Sequence, residues 1–125
     1  MAVGMASTAA DAILDQHLDT DYNFIQLHTG DPGASGTANV AGNATRKAVS
    51  WAAASGGSKA TNGDTEWTDG EVDTTETYTH VSFWSSGSGG NFGGSGTLTA
   101  NQVDASGDAF RIPSGSYSVG LGVAT

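Results

Sequence analysis

Residues 24–33, Phe-Ile-Gln-Leu-His-Thr-Gly-Asp-Pro-Gly, limit the fold more than any other stretch, because an apolar strand runs straight into a reversal of the chain. Extended, this run puts Ile25 and Leu27 on one face and Phe24, Gln26 and His28 on the other. Pro32 presets φ, and Gly30 and Gly33 free the backbone where it must turn.

The same punctuation recurs along the chain. Residues 46–53 return to strand character with Val49 and Trp51 on one face, and residues 65–68 form a short strand presenting Trp67. Residues 77–84 read as the central strand: Thr77, Thr79, Val81 and Phe83 alternate with Tyr78, His80, Ser82 and Trp84, and both faces turn apolar toward the C-terminal end. A Gly- and Ser-rich stretch, 85–96, reads as a broad hairpin tip with Phe92 as its anchor. Strands at 96–100 and 109–112 follow, the second stopped by Pro113, and in 117–123 Tyr117, Val119, Leu121 and Val123 alternate with Ser118, Gly120 and Gly122. Many short strands with frequent turns predict an all-β fold, an antiparallel β-sandwich or jelly-roll-like barrel.

One segment departs from this period. Ala10, Ile13, Leu14, His17 and Leu18 share one face of a short N-terminal α-helix over residues 9–18, with Thr8 as its cap and Asp11 closing a capping box. A helix of this length is marginal alone, so its stripe must bury against the β domain or another protein. Residues 1–20 are therefore a lead and helix, and residues 21–125 a single β-sandwich domain, consistent with the ~100–150 residues of a common domain. The 16 residues of 30–45 form a long surface loop.

Charge and cysteine content narrow the functions. Four Lys and Arg against 13 Asp and Glu leave a formal charge of −9, and Arg46, Lys47, Lys59 and Arg111 are too few to track a phosphate backbone, so no nucleic-acid partner is expected. With no cysteine, neither a disulfide framework nor a thiolate zinc site can form. No apolar run is long enough for a membrane span or a signal peptide, which predicts a protein made in the cytoplasm of its host.

No catalytic signature emerges. The chain has no Gly-x-Ser-x-Gly elbow, and His17, His28 and His80 stand apart without a His-x-x-x-His pair, so they read as structural. The acidic run Asp64, Glu66, Asp69, Glu71, Asp73 and Glu76 could gather Ca²⁺, but neither Asp64 nor Asp69 opens an EF-hand loop, and a solvated acidic loop is the preferred reading. No cofactor and no catalytic residue is expected. The candidate sites are contact surfaces: Trp67 and Phe92 as exposed anchors in polar surroundings, Ile13 and Leu14 on the helix stripe, and Gly120 and Gly122 on a face bare enough for close approach by a neighbour.

Five blocks carry a resemblance. They are residues 27–33 (Leu-His-Thr-Gly-Asp-Pro-Gly), 46–55 (Arg-Lys-Ala-Val-Ser-Trp-Ala-Ala-Ala-Ser), 79–84 (Thr-His-Val-Ser-Phe-Trp), 96–99 (Gly-Thr-Leu-Thr) and 107–115 (Gly-Asp-Ala-Phe-Arg-Ile-Pro-Ser-Gly). In this order they resemble a family of small tailed-phage virion proteins, labelled tail fibre or minor tail proteins and typical of phages of actinobacteria. The resemblance implies a noncatalytic structural component of the virion, present in several copies or as a homo-oligomer, whose partners are other tail or capsid proteins. The alternatives are a capsid decoration protein and, from another class, a host-surface adhesin binding glycan through Trp67, Phe92 and the long loops.

Overall fold

The computed structural model describes residues 4–42, 45–67, 75–103, 109–115 and 117–120. It is all-β apart from its N-terminus: helix α1 (Ser7–Gln16) continues into a π-helical turn (His17–Asp21), followed by β1 (Phe24–His28), β2 (Lys47–Ala48), β3 (Ser58–Ala60), β4 (Thr65–Trp67), β5 (Glu76–Trp84), β6 (Phe92–Val103), β7 (Phe110–Ile112) and β8 (Ser118–Gly120). Every strand pairing is antiparallel. Four strands form one sheet in the order β2-β1-β5-β6, and β3-β8 and β4-β7 form two separate two-stranded ribbons.

One apolar cluster joins the sheet to the β4-β7 ribbon. Ile25 and Leu27 of β1 and Val81 and Phe83 of β5 meet Trp67 of β4, Phe110 and Ile112 of β7, and Val49 and Trp51 of the connecting segment. Leu14 and Leu18 enter the same cluster, so that part of the helical stripe is buried against the β domain. Burying side chains of this size stabilises by about 1.5–3 kcal/mol each before entropy is charged, which makes this cluster the principal holding force.

Strand β5 takes the central place expected of it, paired over Phe24–His28 with β1 and along its length with β6. Its register with β6 shifts at two places, Tyr78/His80 and Phe83/Trp84, and the first breaks the alternation. The β5–β6 register breaks between Tyr78 and His80, where Tyr78 faces Asn101 but His80 faces Thr97, and Tyr78 joins the apolar cluster, its ring edge-on to Phe110 at 5.0 Å. A sequence reading that assumes an unbroken period of 2 places Tyr78 with Ser82 and Trp84.

Two boundaries move for identifiable reasons. The helix starts at Ser7 and not at residue 9, Ala6 is its N-cap with no side-chain bond, and neither Thr8 nor Asp11 forms the expected capping box. Strand β6 begins at Phe92, inside the Gly-rich run read as a tip, because the missing side chains leave room for crossing rings: a Cβ on Gly93 would collide with the Tyr22 ring, and one on Gly96 with the Tyr117 hydroxyl. The turn after β1 is built as expected at Gly33, which has φ 78° and donates its N–H to Asp31 Oδ1 at 2.9 Å.

Candidate functional site

Three places concentrate polar chemistry. The first is a clamp between helix and ribbon. Asp11, Asp15 and Asp19 recur every four residues, so they line one side of the helix. Asp11 accepts the Gly57 N–H at 2.7 Å, and Asp15 Oδ1 accepts the Ala54 N–H at 2.9 Å and the Lys59 ammonium at 2.5 Å. Lys59, 0% exposed on β3, spends its remaining donors on Asp19 Oδ2 at 3.1 Å and the Ala52 carbonyl at 2.8 Å. All three N–H groups of a buried ammonium are thereby satisfied, which burial demands. The Lys59 hydrogen bond, the Ala54 N–H and the nearby positive charge hold the Asp15 carboxyl below its ordinary range, burial opposing them; Lys59 itself is raised, its two carboxylates outweighing desolvation.

The second place is the far face of the sheet. His28 and Ser82 are both fully buried, with Nε2 2.7 Å from Oγ, and Trp84 Nε1 donates to the same Oγ at 2.7 Å. The carbonyl of Ala38, 2.9 Å from His28 Nδ1, accepts only, so Nδ1 carries the proton and Nε2 accepts from the Ser82 hydroxyl. Burial pushes the His28 ring below its ordinary pKa, the Ala38 and Asn39 backbone partly opposing and the charges of His80 and Arg46 adding to it. A Ser–His pair at this distance has the spacing of an activated nucleophile, but here the oxygen is sealed and already occupied by an indole N–H.

Arg46 closes this face. Its guanidinium lies 4.0 Å above the Trp84 ring and donates to Gln26 Oε1 at 3.0 Å and to the carbonyls of Ser86 at 3.0 Å and Gly89 at 2.6 Å. The arginine thus stacks on the sheet and grips the hairpin tip.

The third place is the outer side of the helix. Ala12, Ile13, Gln16, His17 and Asp21 line an open hollow of about 310 Å³. Ile13 is 47% exposed, while Ala10 and Leu14 on the other side are buried. The π-helical turn borders this hollow: Tyr22 N–H bonds to His17 O at 2.7 Å, a five-residue step, and Gln16 Nε2 spans the same step to Asp21 Oδ1 at 3.2 Å.

The expected contact residues are therefore dispersed. Trp67 is not an exposed anchor: it is 0% exposed, its ring 5.7 Å from Phe110 and its Nε1 donating to Thr45 O at 2.7 Å, because β4 pairs with β7 and turns the indole inward. Leu14 is likewise interior, at 2% exposure. Phe92 is half-buried against Trp84 at 5.5 Å, Gly120 is exposed on β8, and Gly122 lies outside the described residues. Of the acidic run, Asp69, Glu71 and Asp73 are also outside them. Asp64 accepts the Ser114 N–H at 2.8 Å and lies 3.6 Å from Arg111, Glu76 accepts the Gly42 N–H at 2.8 Å, and no group of three potential ligands comes together among the described residues.

The clamp and the far-face network had signals in the sequence. Aspartates at 11, 15 and 19 announce a charged helix side, and Lys59 of β3 is the cation it meets at Asp15 and Asp19. The π turn has no comparable mark.

A family match over most of the chain places this antiparallel β domain in the class of phage fibre proteins, components of the virion. Residues 4–120 match the family described as podophage GP4 fiber I protein gp80, and the chain belongs to that family. No curated protein matches it. Among the described residues no helix is long and apolar enough to cross a membrane.

Proposed function

We propose that this chain is a noncatalytic, multi-copy component of the phage tail, of minor-tail or tail-fibre type, held in place by neighbouring virion proteins. The observation that carries this reading is the family match over residues 4–120. The site geometry supports it: the Ser82–His28 pair is sealed inside the sheet, and the cations are committed to internal contacts. The adhesin reading loses its main anchor, since Trp67 has no surface to offer a sugar ring.

Cryo-electron microscopy of the intact particle, with the chain located by its density, is the test. Several copies around the tail are expected. Copies arrayed on the head lattice would replace this reading with capsid decoration, and turnover of a substrate by the purified chain, lost on changing His28 or Ser82, would end the noncatalytic one.

A further inference from the structure

We infer that the hollow on the outer side of α1 is a docking socket for a different virion protein, one that inserts an apolar side chain flanked by Lys or Arg. The inference rests on the proposed role as a virion component and specifies the partner's chemistry.

The floor of the socket is apolar and open. Ile13 points into it at 47% exposure beside Ala12, whereas Ala10, Leu14 and Leu18 of the helical stripe are buried. The shape comes from the π turn, whose wider step sets His17 and Asp21 at the end of the hollow; such turns are rare and recur at functional sites. Asp21, exposed, supplies a negative rim with its carboxylate braced by Gln16. The adjacent aspartate side adds to it: Asp15 and Asp19 remain 43% and 48% exposed, two carboxylates against the one ammonium of Lys59.

The charge distribution selects the occupant. Each of the chain's four cationic side chains is used internally: Arg46 on carbonyls and Trp84, Lys59 on two aspartates, Arg111 beside Asp64, and Lys47 likewise engaged. A second copy, itself at −9, would meet like charge across the contact, and its one largely exposed guanidinium, Arg111, already stands beside Asp64. A basic partner supplies what the rim lacks, and its apolar side chain covers Ile13.

Particles assembled with chain carrying the photo-crosslinker p-benzoylphenylalanine at Ala12 test this directly. Irradiation is expected to join it to a peptide of another virion protein that contains an apolar residue within a few positions of Lys or Arg. In parallel, Ile13→Asp and Asp21→Lys should each melt close to the parent, as surface changes do, and enter particles at least about tenfold less well, the loss that 1.4 kcal/mol of binding corresponds to. Cross-linking to a second copy, or no cross-link together with undiminished incorporation of both variants, overturns the socket while leaving the virion role intact. Absence of the parent chain from purified particles overturns both.

Discussion

The two faces of the central sheet are equally dry and chemically opposite. One side presents Ile25, Leu27, Val81 and Phe83 to an apolar cluster; the other presents Gln26, His28, Ser82 and Trp84, all buried as well. Alternation in a strand is usually read as apolar inward and polar toward water. Here the polar set is also roofed, by Arg46, the 29–41 loop and the hairpin tip, and each group is satisfied by a named partner. The lesson is that the first face depends on volume and the second on pairing, so the same kind of truncation should act differently on each.

The largest loss is expected on the apolar side. Phe83→Ala removes a ring packed against Trp51 and Tyr117 and should cost about 3–5 kcal/mol in denaturant unfolding, whatever the pH. Lys59→Met, at the clamp, calibrates a charged site against both faces: about 3 kcal/mol, the lower end for a broken buried pair because its half-exposed aspartates can rehydrate. On the polar side Ser82→Ala deletes one oxygen yet strands two partners, His28 Nε2 and Trp84 Nε1, and should cost about 1–3 kcal/mol, well above its volume change. Equal small losses for Phe83→Ala and Ser82→Ala would erase the distinction between the faces.

The smallest effect has a definite sign. Burial lowers the folded-state pKa of His28 from 6.5, so folding favours the neutral ring. Its contribution is full above pH 6.5 and is lost as pH falls from there toward the lower folded value. Parent stability should decline over that acidic window, and His28→Gln should flatten the decline. A parent that loses no more stability than His28→Gln through this window would overturn the claim that folding favours the neutral ring.

Much of this fold could be read in advance, and the misses have physical causes. Strands β1, β4, β5 and β7 and the helix were legible because apolar spacing follows the period of each element, and the burial of both faces near Trp84 followed from apolar groups on successive residues. Residues 46–53 were read as one strand but pair only at Lys47–Ala48 and, by a single bridge, at Trp51. Trp67 misled because its sequence neighbours are polar while its burial is supplied by Phe110, more than forty residues away. The start of β6, ahead of the strand read at 96–100, was hidden by glycine, which lowers strand propensity locally and is required there by two tyrosines from elsewhere. Of the docking socket, Ile13 was visible as part of the stripe; the π turn that opens the hollow depends on backbone geometry with no residue signature.

Arg46 has one more consequence. It holds the tip through main-chain oxygens, so it cannot tell which residues stand at positions 86 and 89. Replacing Ser86 with another small polar residue should leave the grip unaltered, whereas Gly89, at φ 64°, holds a left-handed conformation that favours glycine. The anchorage therefore fixes the path of the tip's main chain while leaving the side chain at position 86 free to vary.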